Sequence, residues 1–221
     1  MKSAQIKVAY IDHMGNDLTT VNAARISFKG ESQTLSEKDE KLIDYLAKNE
    51  HMSPFEHCVM TVMIECPLYI RSQIHRHRTF AYNKVSRRYT SDDLEFYIPP
   101  ATDIRAQSKN NKQASEGAID AADLPYATRL MESVCETALY RFEELIKLGV
   151  SREQARGILP QCLMTKFYMT GNLRNWAHFI RLRDDGHAQK EVQYIAKEIK
   201  TLMLDKFPVA SAALFKYNKK T

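Results

Sequence analysis

A short basic segment near the middle of the chain carries the residue types best suited to chemistry. It runs from residue 76 to residue 89 and reads RHRTFAYNKVSRRY. Arginine guanidinium groups bind phosphates through forked hydrogen bonds, and aromatic rings can flank a planar ring system. Composition alone leaves two interpretations about equal: a nucleotide or phosphate site, and a solvated basic face on a helix and turn.

The net charge of the chain is concentrated in the same region. The formal charge is +5 at pH 7. No Asp or Glu occurs between Cys66 and Thr90, and without the six basic residues of that stretch the other 26 nearly balance 27 acidic ones. The patch suits the phosphate of a small nucleotide or of a nucleic acid. Its six basic residues are Arg71, Arg76, Arg78, Lys84, Arg87 and Arg88.

A further arginine lies on the apolar side of a predicted helix. At ~100° per residue, Arg183 falls on the same side as Trp176, Phe179 and Ile180. A charge on an apolar face indicates either a side chain that reaches past that face to solvent or a functional group. Without other information, the first case is the commoner one.

Histidine and cysteine spacing argues against a metal site and against a disulfide framework. His75 and His77 would point to different sides of a helix, and no histidine pair has the four-residue spacing of ligands. No glycine-rich phosphate loop occurs either, so side chains would have to hold a dinucleotide. The four cysteines lack Cys-x-x-Cys spacing and are predicted to be reduced packing residues: Cys58, Cys66, Cys135 and Cys162.

The surrounding sequence predicts an α/β domain with a central sheet and flanking helices over residues 1–221. The chain has 221 residues, 44% of them hydrophobic, which is enough for one compact core. No apolar run approaches the ~18 residues of a membrane span, and the first residues have no signal core, so we expect a soluble, cytoplasmic protein. The predicted strands are 6–11, 58–66 and 163–170, and the predicted helices start near 17, 36, 126, 151, 172 and 192.

Two of these segments are of particular interest. The helix over 126–148 has an apolar stripe and is predicted to be a core helix. The stretch of about 100–124 has few large apolar residues and is predicted to be a mobile loop without regular structure.

An ordered pattern in the basic segment decides between its two interpretations. Arg-His-Arg, seven residues and then Ser resembles the signature of the flavin-dependent thymidylate synthases, and here it runs from Arg76 to Ser86. Asn83, Arg88 and Tyr89 also sit where that family has them. Similar segments follow in the right order on both sides, at 23–27, 51–57, 155–160, 170–174 and 182–189.

The resemblance implies a role for each matching residue. Arg183 matches the arginine that favours ionisation of the pyrimidine ring imide. Ser27, His51 and Glu56 are weaker matches without a specific role. Positions that bind deoxyuridylate are matched by Gln73, Arg76, Ser86, Arg87, Arg88, Arg156 and Arg183. Positions at the flavin are matched by Ser53, Arg76, His77, Arg78, Asn172, Arg174 and His178, and Lys84 is assigned to the same set although it departs from the family pattern.

Two residues depart from the family pattern. Ala81 stands where the family usually has Ser, which keeps a small side chain. Lys84 stands where it usually has Glu, so the charge beside the nucleotide is inverted. We expect Lys84 to contact a phosphate in place of the carboxylate contact.

The resemblance also implies the reaction and the assembly. The chain is expected to be a methyltransferase that makes thymidylate from deoxyuridylate, with FAD as cofactor and with NADPH and 5,10-methylenetetrahydrofolate as co-substrates. The expected assembly is a homotetramer whose active sites are shared between subunits. The expected partners are therefore small molecules, not nucleic acid and not a membrane.

Two other classes of protein remain as alternatives. A nucleic-acid-binding module would use Phe80, Tyr82 and Tyr89 as stacking platforms. A thymidylate synthase without flavin would use a cysteine nucleophile, for which Cys162 is the candidate, although it lacks the following histidine of the Pro-Cys-His motif.

Overall fold

The chain contains both helices and strands in the computed structural model, which describes residues 3–86, 94–112 and 114–217. The strands are β1 (Lys7–Met14), β2 (Val59–Pro67), β3 (Ala81–Lys84), β4 (Arg105–Gln107), β5 (Ser115–Ala118) and β6 (Met164–Asn172). The helices are α1 (Asp17–Arg25), α2 (Glu37–Lys48), α3 (Leu68–Ile74), α4 (Leu124–Lys147), α5 (Arg152–Ala155), α6 (Leu173–Arg183), α7 (Lys190–Lys206) and α8 (Pro208–Tyr217). Short 3-10 turns occur at Ile26–Phe28, Ser53–His57, Ala101–Asp103 and Arg156–Ile158. The predicted α/β class with flanking helices is confirmed.

The described residues form two compact units. The first comprises residues 3–7, 65–76, 84–86, 94–112 and 114–167, and the second comprises 8–64, 77–83 and 168–217. The prediction of a single domain over residues 1–221 stays a prediction.

A sheet with strand order β1-β2-β6-β3 provides most of the strands of the second unit. Thr61 Oγ1 lies 2.9 Å from Thr170 Oγ1, and the Leu173 amide donates to the Cys58 carbonyl at 3.0 Å, so β2 and β6 run antiparallel. The strand predicted at 58–66 is present as β2; its alternate residues are fully buried and the others are half-buried. Trp176 on α6 is also fully buried and donates from Nε1 to the Met60 carbonyl at 3.2 Å.

Two buried carboxylates fix the helices of the second unit. Asp17 accepts hydrogen bonds from the amides of Val209 and Ala210 at 3.1 and 2.8 Å, so it caps the first turn of α8. Asp39 accepts from Arg25 and from Ser36, and these contacts hold the pKa of its carboxyl far below the ordinary value. Arg25, which lies in one of the segments that resemble the family, therefore has a structural role.

The first unit packs around α4, but α4 is only partly a core helix. Cys135 and Phe142 are buried against Phe96, Ala155, Leu159 and Leu163. Leu130, Met131 and Val134, which the apolar stripe places in the core, are instead exposed. They line an apolar groove of about 450 Å³ with Tyr69, Tyr97, Ile98, Pro99, Cys135 and Cys162. Periodicity identified the apolar face of α4 but not how much of that face is covered.

The stretch predicted to lack regular structure contains a hairpin. Strands β4 and β5 pair antiparallel, with Gln107 opposite Ser115. All four residues of β5 are exposed, so backbone hydrogen bonds rather than a buried face hold this hairpin. The predicted mobility of this segment stays a prediction.

No helix in the described ranges is long and apolar enough to cross a membrane.

Candidate active site

Arg183, the last residue of α6, contacts a histidine of the basic segment. Its Nε donates a hydrogen bond to Nε2 of His77 at 3.0 Å. The His77 ring is 8% exposed and lies edge-on to Phe179, with 4.8 Å between centroids. The Tyr82 hydroxyl donates to the His77 backbone carbonyl at 2.9 Å. The ring and the backbone of His77 are both held, so the imidazole orients the guanidinium.

The electrostatics of this pair follow from its burial. Burial, with added repulsion from Arg183 and His178, lowers the pKa of His77 to about 4. A neutral imidazole can accept at Nε2 only as the tautomer that carries its proton on Nδ1. Burial also lowers the pKa of Arg183, which nevertheless stays charged at neutral pH. A neutral partner orients the guanidinium without cancelling its charge.

An aromatic cluster packs next to the His77 ring of the Arg183–His77 pair. The Phe80 ring is 8% exposed and packs against Trp176, with 4.5 Å between centroids. A Cβ atom at Gly171 would lie 2.4 Å from the Phe80 ring, so only glycine allows this approach of β6. Because Phe80 is buried, it cannot stack on a base, which removes one of the platforms of the nucleic-acid alternative.

A polar cavity opens beside the N-terminal half of α6. Its volume is about 480 Å³, within the range of small-molecule sites. Arg174 pairs with Glu56 at 2.5 Å, and Arg181 donates to His178 Nδ1 at 2.9 Å. Burial and the charges of Arg181 and Arg174 lower the pKa of His178. The lining residues are Ala47, Glu50, Met52, Thr79, Arg174, Asn175, Ala177, His178, Arg181, Leu214 and Tyr217.

The structure brings together four of the predicted flavin positions. His77, Arg174 and His178 are linked by ring contacts or by their charges. Asn172 is the N-cap of the same helix and accepts from the Asn175 amide at 3.0 Å. Ser53 and Arg78 are exposed, and no described contact joins either of them to this group.

The predicted deoxyuridylate positions that the structure describes, apart from Arg183, fall in the first unit. Gln73, Ser86 and Arg156 are half-buried, while Arg76 and Lys84 are exposed. Arg156 Nε donates to the Glu153 carbonyl at 3.3 Å. Arg87 and Arg88, with Tyr89, lie outside the described residues.

Three cations lie close together in the first unit. Burial and the positive charges of Arg71 and Arg156 lower the pKa of the Lys84 ammonium. Burial, with Arg71 and Lys84, lowers the pKa of His75 to about 4. Arg71 Nε is buried and has no hydrogen-bond partner among the residues that the structure describes. We call Arg71, Lys84 and Arg156 the cationic cluster; the charges of Arg71 and Arg156 repel that of Lys84, and an anion would relieve this repulsion.

Comparison with known proteins identifies the family. Residues 9–209 match the family described as "Thymidylate synthase complementing protein". The chain belongs to the thymidylate synthase-complementing protein family. A flavin-dependent thymidylate synthase from Thermus thermophilus is 40% identical over 206 residues, covering 93% of this chain and 74% of the relative. Another from Thermotoga neapolitana is 38% identical and covers 95% of this chain and 91% of the relative.

A solved structure of the same fold has a related nucleotide activity. The UMP/dUMP methylase PolB from Streptomyces cacaoi, bound with 5-Br dUMP, superposes with a TM-score of 0.88 at 30% identity. The superposition covers 98% of this chain and 97% of that chain. A second structure of PolB is bound with 5-Br UMP and superposes with the same TM-score.

Several residues around the family motif were missed as site residues by sequence reasoning. Arg181 lies one turn after His178 on α6, and His75 lies just before the motif. Arg71 was counted in the basic patch but given no role. The acid-free stretch from Cys66 to Thr90 was the available signal for Arg71 and His75. For Arg181, the three-residue spacing from His178 was the available signal.

Proposed function

We propose that the chain is a flavin-dependent thymidylate synthase that converts dUMP to dTMP by reductive methylation. The one-carbon donor would be 5,10-methylenetetrahydrofolate, and NADPH would reduce bound FAD. The observation that carries the proposal is the Arg183–His77 contact at 3.0 Å, in a chain that belongs to this family. The names of the relatives support the flavin and the thymidylate product.

The second unit offers groups that fit a flavin. Cations and hydrogen-bond donors converge on the 480 Å³ cavity, where Arg174 and His178 would meet polar or phosphate groups of FAD. We assign Ser53, Arg76, His77, Arg78 and Asn172 to FAD as well, by resemblance to the family. When bound, the reduced flavin supplies the hydride that completes the new methyl group. The protein contributes binding, orientation and exclusion of water.

Arg183 would make the uracil ring reactive. Its guanidinium would donate to the imide edge of the ring, favour loss of the N3 proton and stabilise the negative charge that develops. Half-burial strengthens this effect because water screens the charge less. His77, held neutral, would keep the guanidinium pointed at the ring.

The cationic cluster would hold the phosphate of dUMP. Arg71, Lys84 and Arg156 raise one another's electrostatic energy, and a phosphate would relieve that repulsion. In this proposal Lys84 gives a direct or water-mediated phosphate contact where the family usually has Glu. Gln73, Arg76, Ser86, Arg87 and Arg88 complete the proposed set of dUMP ligands by resemblance.

The proposal includes the assembly and the location. By resemblance, four copies of the chain would share active sites between subunits, in the cytoplasm and without nucleic acid or a membrane.

A turnover assay with single omissions tests the function. Purified protein, first stripped of any bound flavin, is given dUMP, 5,10-methylenetetrahydrofolate, NADPH and FAD, and dTMP is measured by chromatography. We expect dTMP in the complete mixture and none when the folate, NADPH or FAD is left out. Formation of dTMP without FAD would contradict the proposal. A parallel reaction with UMP tests the activity suggested by the PolB neighbour, and equal methylation of UMP would reject specificity for dUMP.

A further inference from the structure

Two cysteines that the proposed reaction does not use face each other in the first unit. Cys135 lies on α4 and Cys162 lies two residues before β6, and their Sγ atoms are 3.3 Å apart. Both are free thiols. Cys135 is 1% exposed, whereas Cys162 is half-buried.

The backbone around Cys162 is fixed in the position that this contact requires. Its carbonyl accepts from the Tyr97 amide at 2.9 Å, and the next amide, of Leu163, donates to the Pro160 carbonyl at 3.0 Å. A disulfide has its sulfurs about 2.05 Å apart, so the two sulfurs must approach by a little over an ångström. Rotation about the Cα–Cβ bonds of the two cysteines is the movement that this approach requires.

The surroundings decide which reagents reach the pair. Both cysteines line the apolar groove of about 450 Å³ beside α4. An uncharged, flat reagent can enter such a groove more readily than a charged one. Burial, with the neighbouring Cys162, raises the pKa of the Cys135 thiol to about 12. Because Cys135 is also 1% exposed while Cys162 is half-buried, Cys162 is the sulfur that a reagent reaches first.

We propose that Cys135 and Cys162 form a modification site, a dithiol that small apolar disulfides oxidise to a protein disulfide. The Cys162 thiolate attacks one sulfur of the reagent RSSR, which forms a mixed disulfide and expels RS⁻. The Cys135 thiol then loses its proton to solvent and attacks the Cys162 sulfur, which expels the second RS⁻. The protein loses two protons and two electrons, and the reagent takes up both to become two RSH.

The test uses the folded, full-length protein and the neutral aromatic disulfide 4,4′-dithiodipyridine. The released thiopyridone is counted by absorbance, and the protein is analysed by non-reducing mass spectrometry. We expect two thiopyridones per chain in one phase, a protein about 2 Da lighter than before, and a cross-linked peptide pair containing Cys135 and Cys162. This result needs no variant. A stable thiopyridine adduct on wild-type Cys162, or no reaction at either residue, would overturn the proposal.

Variants separate the two steps. Cys135→Ala should release one thiopyridone and keep the adduct on Cys162, because the second sulfur is missing. Cys66→Ala is the matched control, because Cys66 is outside the pair and fully buried. Burial raises the pKa of its thiol to about 12. It should still release two. Release of two thiopyridones by folded Cys135→Ala would contradict the assignment of the pair.

Discussion

The two groups of proposed site residues differ in what surrounds their positive charges. In the second unit, Arg183 is oriented by a buried neutral histidine, and Arg174 by a carboxylate at 2.5 Å. In the first unit, Arg71, Lys84 and Arg156 are held near one another and repel. A charged group that the protein already orients can stabilise charge that develops in a transition state. A cluster of like charges is instead stabilised when a ligand of opposite charge binds. This difference fits chemistry at Arg183 and phosphate binding at the cationic cluster.

The largest expected effect is at Arg183. We predict that Arg183→Ala lowers the rate of dTMP formation by about 10²–10³-fold, because the charge that stabilises the developing anion is lost. Circular dichroism should show an intact fold. Arg129→Ala, which removes an exposed arginine on α4, is the control and should keep its activity. An active Arg183→Ala enzyme would move the chemistry away from this residue.

The next effect concerns pH and His77. Because burial lowers its pKa from the ordinary 6.5 to about 4, the unfolded chain binds a proton between these pH values and the folded chain does not. The contribution to stability is complete above pH 6.5 and is lost as the pH falls toward 4. We predict that, between pH 6.5 and pH 4, the free energy of unfolding of His77→Gln falls by about 2 kcal/mol less than that of the wild type.

Denaturant titrations at several pH values measure this contribution. His187→Gln is the control, since the His187 side chain is 85% exposed, and its pH dependence should match that of the wild type. If His77→Gln also matches the wild type between pH 6.5 and 4, the buried neutral state of His77 is wrong.

A smaller effect is expected at the cationic cluster. Lys84→Glu should weaken dUMP binding by roughly tenfold and reduce its dependence on salt, because a phosphate contact is replaced by repulsion. Isothermal titration at two salt concentrations measures both quantities. Lys147→Glu makes the same charge change on α4, where Lys147 pairs with Glu144, and should leave affinity unchanged. Equal behaviour of the two variants would remove Lys84 from the phosphate site.

The smallest expected effect is at Cys162. Its sulfur faces Cys135 at 3.3 Å in the apolar groove of the first unit, and no described contact joins it to Arg183. We predict that Cys162→Ala keeps most of the flavin-dependent dTMP formation, within about a factor of two. An inactive but folded Cys162→Ala protein, with an active Arg183→Ala protein, would favour the cysteine-dependent alternative.

The sequence predicted local elements well and their surroundings less well. The β-branched and apolar residues of 58–66 identified β2, and helical spacing placed Arg183 on the side of Phe179; in the structure both residues contact His77. The exposure of Val134 and the hairpin of β4 and β5 were not predicted. Periodicity reports which face of an element is apolar, but not what covers that face, and a backbone-paired hairpin needs no apolar residues at all.

Contacts between residues far apart in the sequence were also not predicted. The contact between Arg183 and His77 joins positions 106 apart, and the Cys135–Cys162 contact joins positions 27 apart. The motif identified His77 and Arg183 separately, through their match to the family. Their contact depends on how α6 packs against the basic segment, which one sequence does not specify.

A flavin titration tests the central claim most directly. FAD is added to the purified protein, and bound flavin is followed by its visible absorbance after removal of free FAD. The proposed function predicts a two-band flavin spectrum with one FAD per active site, and weaker binding by His77→Ala and Arg174→Ala than by Arg129→Ala. A protein that retains no flavin after incubation with excess FAD would contradict the assignment of a flavin-dependent thymidylate synthase.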